Sequence, residues 1–461
     1  MEQYDCIVIG AGQAGGPLAK KLAKAGKKTV IIEKRFVGGT CVNDGCTPTK
    51  TWVASAKAAY MATKSEELGV KIKGFKVNML QIKKRKDDIV MSARMGGQKG
   101  LEETKNLTLM FGEASFVGPK MILVELNEGG PVEMTADLIF IDTGALPLIP
   151  EIDGIDEIQY LTSTSILELD EVPKHLLVIG ANYIGLEFGQ MFRRFGSKVT
   201  MLEKGQRILA REDDDIAVAM DEILKAEDID IYVDAKTTGF KKTKKGKIKV
   251  TAEIKGKTEK FTCSHVLIGI GRVPQTEALK LDKTGVKVDD RGFIKVNSKL
   301  ETNVKGIYAL GDVKGGPAFT HIAYNDYTIV YRNLFEDGKL TITDRPIPYC
   351  MFTDPQLGRI GIDETEAKKQ GLKVKIAKLP MTHVARAIEV GDTRGFMKAV
   401  VDADTKKILG AAVLGQEGGE IMSVLQMAME GGITYDRIRY CVFAHPTYSE
   451  SLNNLFMGLE P

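Results

Sequence analysis

Two strand–turn–helix–strand units, laid out in the same register, restrict the folds open to this chain more than any other feature. Cys6 to Gly10 is a short apolar run, and Gly10, Gly12 and Gly15 follow in G-x-G-x-x-G spacing. A helical pattern then reaches Gly26, and a second apolar run ends in Glu33. The plan recurs from Leu176, with Gly180, Asn182 and Gly185, then Gly196, then Glu203. In both copies the first glycine lies 16 residues before the last glycine and 23 before the acid. One such spacing is weak evidence, but two in matching register predict two dinucleotide sites on doubly wound sheets. The glycines let each turn approach a pyrophosphate closely, and the helix N-terminus faces its charge. The closing carboxylate accepts hydrogen bonds from ribose hydroxyls.

Soon after the first copy comes the run Gly38-Gly39-Thr40-Cys41-Val42-Asn43-Asp44-Gly45-Cys46-Thr47-Pro48-Thr49-Lys50. Two cysteines five residues apart, so close behind a dinucleotide unit, suggest a redox-active disulfide laid against a flavin. Five helical steps rise about 7.5 Å, beyond the roughly 4.4–6.8 Å that a disulfide tolerates between Cα atoms. A regular helix cannot bridge the pair, so the segment is expected to start irregularly, with Gly45 supplying backbone freedom. A bridge constrained in this way is reducible rather than structural. A nucleophilic thiolate near neutral pH also needs a positive or dipolar environment, which the start of a helix gives.

The bulk of the sequence narrows the function classes. A length of 461 residues predicts about three domains. The net charge of +3 implies no affinity for nucleic acid or membrane. The longest basic run, Lys241-Lys242-Thr243-Lys244-Lys245-Gly246-Lys247, reads as an exposed hairpin. Six cysteines in this length do not make a secreted disulfide framework, and Cys6, Cys263, Cys350 and Cys441 read as isolated buried thiols. The first strand begins near residue 5, which leaves no room for a signal peptide, and no apolar stretch reaches about 18 residues. A cytoplasmic protein is expected. His175, His265, His321 and His383 make no metal-ligand spacing, and neither a serine-nucleophile motif nor a P-loop is present.

Residues 51–105 read as long polar helices, followed by short strands to Gly144. Ile268 to Pro274, with Gly271 among them, looks like a strand end and turn. Gly306 to Asp312 is a buried strand ending in a turn carboxylate. From about residue 345 strands alternate with amphipathic helices and carry no nucleotide signature.

Together these motifs resemble the class I pyridine nucleotide-disulfide oxidoreductases, such as glutathione reductase, dihydrolipoamide dehydrogenase and mercuric reductase. The likeness runs from Gly10 to Glu450. The redox run is most similar to the mercuric reductase form, with Val42-Asn43 after the first cysteine. Thr320 to Tyr327 and Ser449 to Asn453 resemble mercuric-reductase-like proteins and a reactive-chlorine-resistance flavoprotein that reduces copper. The resemblance implies an α/β protein with two Rossmann-like domains and an α+β C-terminal dimerisation domain. The expected order is an FAD domain over 1–148, a nicotinamide domain over 149–272, a central second part of the FAD domain over 273–344 and an interface domain over 345–461. It implies a homodimer. FAD would occupy the first unit, on Gly10, Gly12, Gly15 and Glu33, lined by Thr40, Lys50, Gly144, Asp312 and Thr320, with Asp312 on the ribityl chain. NADH or NADPH would occupy the second, on Gly180, Tyr183, Gly185, Glu203 and Gly271.

Residue roles follow by the same resemblance. Hydride passes from nicotinamide to flavin and electrons pass on to Cys41–Cys46. Cys46 is the flavin-proximal sulfur, which forms a thiolate–flavin charge-transfer pair, and Cys41 is the interchange thiol that attacks substrate. Lys50 and Glu187 match an ion pair beside the flavin ring. Tyr183 matches an aromatic residue that covers the flavin until nicotinamide displaces it. His445 matches the acid–base group that acts across the dimer on the attacking thiol, oriented by Glu450; Thr447-x-x-Glu450 can also be a capping box.

Some positions depart from the family pattern. Asn182 replaces the second glycine of the second fingerprint and crowds the pyrophosphate. Glu203 favours NADH, because a carboxylate repels a 2′-phosphate, although Lys204 and Arg207 lie close enough to accommodate one. Full mercuric reductases end in a vicinal cysteine pair, absent from this sequence. Lipoamide dehydrogenases carry a histidine where Phe443 stands. Trp52 and Tyr448 are expected to narrow the channel to the disulfide. The leading expectation is an NAD(P)H-dependent flavoenzyme reducing a metal ion or small disulfide. A dihydrolipoamide dehydrogenase of a 2-oxo acid dehydrogenase complex and a slow flavoprotein redox sensor stand as alternatives.

Overall fold

The computed structural model describes residues 1–343 and 345–459. The chain divides into two compact units, one of 1–51, 83–148 and 271–345, the other of 52–82, 149–270 and 346–461.

In the first unit the strand Glu2–Ile9 lies between Thr29–Glu33 and Val132–Ile141, parallel to both. Leu107–Gly118 extends the sheet beyond Thr29–Glu33, and Ile307–Ala309 pairs with the end of Val132–Ile141. Strands buried on both faces lose the polar alternation of a half-exposed sheet, which is why Cys6–Ile9, Val30–Ile32 and Ile139–Ile141 are continuous apolar runs with little or no exposure. The far half of Leu107–Gly118, Met121–Leu126 and the start of Val132–Ile141 form an antiparallel meander on the same sheet. The helix Gly15–Lys24 turns Leu18, Ala19, Leu22 and Ala23 inward.

The second unit repeats the parallel design on a smaller scale. Its sheet runs His265–Ile268, His175–Ile179, Lys198–Leu202, Ile229–Tyr232. A three-stranded antiparallel sheet follows, Ala235–Lys242, Ile248–Ile254 and Lys257–Cys263, and the basic run forms the exposed turn of its first hairpin. Residues 349–415 supply a five-stranded antiparallel sheet, whose apolar face packs on the helices Gly418–Glu430, Tyr435–Arg439 and Ser451–Met457. No helix among the described residues is long and apolar enough to cross a membrane.

Cys6 and Cys263 are buried, as expected, and burial pushes both thiols up to about 12. Cys441 is exposed and Cys350 only partly covered, which corrects the reading of all four as buried. Cys441 follows the short helix Tyr435–Arg439 in an irregular stretch, where apolar neighbours give no core to enter.

Trp52 is corrected as well. It has no exposure and sits edge-on to Phe192 and Phe195, with centroids at 5.9 and 6.4 Å, in the core of the second unit. Cys46 and Lys50 are one helical turn apart, whereas Trp52 is about 200° round the helix from Lys50. Tyr448 is partly buried and packs on the C-terminal core.

One ion-pair network holds the second unit together. Arg194, with a side chain 4% exposed, makes 2.7 Å bonds to Glu227 and Asp354 and stacks on Tyr60 at 3.8 Å. Arg394 bonds the same Glu227 at 3.1 Å. Burial alone raises the Asp354 carboxyl, but Arg194, Lys57 and Arg394 outweigh it and hold it below its ordinary range. That stability is present above the ordinary carboxylate range and is lost as pH falls through the lowered value. Arg194→Met removes the most buried cation of the network and leaves Glu227 and Asp354 to Arg394 and Lys57, with an expected cost of about 3 kcal/mol. Urea titration reads this as a lower midpoint, and an unchanged midpoint refutes it.

Candidate active site

The two fingerprints are built alike at the atomic level. A Cβ at Gly15 would collide with the Gly10 carbonyl, and one at Gly185 with the Gly180 carbonyl. Gly10 and Gly180 adopt φ of 102° and 96°, open chiefly to glycine. Glu33 accepts the Ala11 amide at 2.9 Å and the Arg35 amide at 2.8 Å. Glu203 accepts the Ala181 amide at 2.7 Å and the Gly205 amide at 2.8 Å. Each acid is thus locked at the lip of its turn, where a ribose would lie.

The first turn meets the redox segment backbone to backbone. Gly38 donates to the Ala11 carbonyl at 2.8 Å, Gln13 donates to the Gly38 carbonyl at 3.0 Å, and a Cβ at Gly39 would stand 2.8 Å from the Gly12 Cα. Beneath it, the buried Asp142 carboxylate accepts the Gly15 amide at 2.7 Å. Burial, then the charges of Asp312 and Asp326, drive this acid well above its ordinary value. This bracing residue gave no sequence signal, because 127 positions separate it from Gly15. The glycine-lined turn and the fixed Glu33 fit the dinucleotide part of FAD.

The redox segment is two helices with a break. Gly39–Asn43 is a single turn, and Cys46–Lys64 starts afresh after Asp44 and Gly45. The irregular start is as expected, but Gly45 is required for space rather than for a left-handed backbone. A Cβ there would lie 2.8 Å from the Thr40 carbonyl. Cys41 and Cys46 hydrogen-bond to each other, and the Cys46 sulfur lies 3.4 Å from the Thr320 hydroxyl. The Cys46 bond and burial raise the Cys41 thiol, while Thr320 and Lys50 pull it back only in part. Cys41 therefore needs a base before it can attack.

Gly144, Gly271 and Asp312 of the first unit are held by neighbouring loops. Gly144, at φ 71°, accepts the Gln275 amide at 3.0 Å. Gly271, at φ 146°, receives Leu148 on its carbonyl at 2.9 Å. Asp312 follows the strand Ile307–Ala309, with Arg272 at 3.7 Å, and its carboxyl is raised by burial despite that cation. Gly271 directly follows Gly269 and Ile270, which pack on Gly180 of the second fingerprint.

In the second unit, Asn182 caps the helix Tyr183–Phe195, its side chain accepting the Tyr183 amide at 3.0 Å. Glu187 on that helix is buried and accepts the Phe352 amide at 2.8 Å. His445 and Glu450 meet, with Nδ1 3.0 Å from both carboxylate oxygens. Thr447 accepts the Glu450 amide at 3.2 Å in the turn before the helix Ser451–Met457, so the threonine holds the Glu450 backbone while the carboxylate serves the imidazole, and no reciprocal capping box forms. The histidine side chain is 71% exposed.

The sequence profile of the pyridine nucleotide-disulphide oxidoreductases matches residues 4–326, and that of their dimerisation domain matches residues 347–456. The chain belongs to this family. It is 36% identical to the probable pyridine nucleotide-disulfide oxidoreductase RclA of Escherichia coli K12, over 99% of both chains. It is 35% identical to a mercuric reductase of Staphylococcus aureus, over 97% of this chain and 81% of that one. A dihydrolipoyl dehydrogenase of Thermus scotoductus is also 35% identical, over 98% and 96%. Among solved structures, a Cu(II) complex of RclA, the HOCl-induced flavoprotein disulfide reductase of Escherichia coli, superposes with a TM-score of 0.91 at 36% identity over the whole of both chains. The chain is therefore an FAD-dependent oxidoreductase that uses NAD(P)H, with the family's two nucleotide-binding folds and its dimerisation domain.

Proposed function

We propose that this enzyme uses NADH to reduce the Cys41–Cys46 pair and delivers the electrons to a soft metal ion or a compact disulfide. The observation that carries the proposal is the hydrogen-bonded pair of thiols at the helix break, with Lys50 and Thr320 as their neighbours. Bound FAD supplies the two-electron relay from nicotinamide to sulfur. Cys41 attacks a disulfide substrate; the substrate S–S bond breaks and one thiol leaves. Cys46 then attacks the mixed disulfide, releasing the second thiol and restoring the Cys41–Cys46 bond. His445, held by Glu450 and acting across the homodimer, takes the Cys41 proton and returns it to the leaving thiol. A metal ion would instead meet two thiolates, soft ligands suited to Cu(I) or mercury. Each reduced pair then carries two electrons, enough for two Cu(II) or one Hg(II). Among the described residues no cluster of three or more His, Cys, Asp and Glu forms a resident metal site.

The partition of the chain follows the same reading: 1–148 and 273–344 hold FAD, 149–272 the nicotinamide nucleotide, and 345–461 the dimer contact. Two features support NADH. Both oxygens of Glu203 are fixed at the turn, and Arg207 is engaged by Asp214 and by the carbonyls of Ala210 and Glu212. Asn182 sets the affinity from the other side, because its cap occupies an amide at the helix start that a pyrophosphate would use. Asn182→Gly costs the helix only a few tenths of a kcal/mol and lowers the KM for NADH; an unchanged or higher KM overturns this.

The acceptor is settled by anaerobic NADH oxidation with Cu(II), Hg(II)–thiol, glutathione disulfide and lipoamide in parallel. Turnover with the metals or the small disulfide supports the proposal. Fast turnover with lipoamide alone makes the enzyme a dihydrolipoamide dehydrogenase.

A further inference from the structure

One face of the helix Tyr183–Phe195 is fastened along its length to residues 349–354. Phe352 donates its amide to Glu187 at 2.8 Å. Gln190 donates to the Asp354 carbonyl at 2.8 Å and accepts the Asp354 amide at 2.8 Å. Arg194 pairs with the Asp354 carboxylate at 2.7 Å. At the N-terminal end the pattern is completed by Tyr183 and Tyr349, hydrogen-bonded through their phenols with ring centroids 5.5 Å apart. Positions 183, 187, 190 and 194 follow the spacing of a single helical stripe.

Tyr349 sits in the short strand Tyr349–Met351 and donates its hydroxyl proton to Glu212. A phenol has one proton to give, so Tyr183 must be the donor in its bond to Tyr349. The result is a directed chain, Tyr183 to Tyr349 to Glu212. Its end is fixed, because Glu212 is 2% exposed and stands 3.4 Å from Arg359, which Asp363 faces at 3.5 Å. Tyr183 alone among the three is at the head of the fingerprint helix.

We propose that Glu212 and Tyr349 are positioning residues that latch the Tyr183 side chain, so that the nicotinamide nucleotide must break the Tyr183–Tyr349 bond to enter. This rests on the reading of Tyr183 as the residue that nicotinamide displaces. The latch opposes binding by the worth of one hydrogen bond and leaves hydride transfer untouched.

The test is titration calorimetry of the FAD-loaded protein with NAD⁺, joined to stopped-flow flavin reduction by NADH. Tyr349→Phe keeps the ring and removes the bond to Tyr183. It is expected to lower the Kd for NAD⁺ by about 2- to 12-fold, the range set by one net hydrogen bond. The half-saturating NADH concentration falls equally and the limiting reduction rate stays unchanged. Tyr183→Phe should give the same shift, and the double variant no more than either alone. Glu212→Gln, which keeps a neutral acceptor for Tyr349, should shift Kd in the same direction by less. Additive effects of Tyr183→Phe and Tyr349→Phe, or a wild-type Kd in Tyr349→Phe, overturn the latch. Tyr183→Ala separates the two ideas. If it leaves NAD⁺ affinity and flavin reduction unchanged, the reading of Tyr183 fails and takes the latch with it. If it shifts them while Tyr349→Phe does not, the latch alone fails.

Discussion

Cys41→Ser stops electron delivery to every disulfide acceptor while NADH still reduces the flavin. Serine keeps the size of the side chain and its hydrogen bond to Cys46, but it cannot form the S–S bond or attack a substrate as a thiolate. The two half-reactions therefore separate in one variant. Stopped-flow reduction by NADH should proceed at close to the wild-type rate, and steady-state turnover should fall to background. Thiol titration of the denatured variant supplies a second check, because oxidation can no longer hide two of its cysteines in a bond. Residual turnover above a few per cent would show that electrons leave the flavin by another route and would remove the pair from the mechanism.

His445→Gln is the second large effect. The Cys41 thiol is raised by its bond to Cys46 and by burial, so near neutral pH it holds its proton and attack needs a base. Glu450 engages Nδ1 from both oxygens at 3.0 Å, which presents Nε2 outward as the proton acceptor. A positioned acid–base group of this kind is worth about 10²–10⁴-fold. Loss of that factor in turnover is expected, with flavin reduction by NADH intact. The pH profile carries the diagnosis. Without the imidazole, the rate should climb with pH as solvent hydroxide takes the proton from the raised thiol. Glu450→Gln keeps a hydrogen-bond partner and should lose less. A flat pH profile for His445→Gln would show that the histidine is not the base.

Much of this site was legible because backbone sterics wrote it. Gly15 and Gly185 cannot carry a side chain beneath the carbonyls of Gly10 and Gly180, and Glu33 and Glu203 are the acids that reach the two turns. Spacing therefore survives as a signal even where Asn182 breaks the motif. The break before Cys46 was legible for the same reason, although its glycine answers a close approach rather than an unusual dihedral. Trp52 misled because the first residues of an irregularly started helix do not reveal its phase, and a two-residue step reverses the face. Asp142 and the Tyr349–Glu212 pair were invisible. Their partners stand 127 and 137 positions away in the chain, and neither residue type is unusual where it occurs.

The duplicated turns make this protein a self-controlled specimen for coenzyme engineering. Each turn holds its acid with backbone amides, so a replacement at Glu203 must leave the Ala181 and Gly205 amides another acceptor. Grafting a phosphate-accepting loop over 203–207 should redirect the second turn toward NADPH, while the flavin content reports whether the first has been left alone.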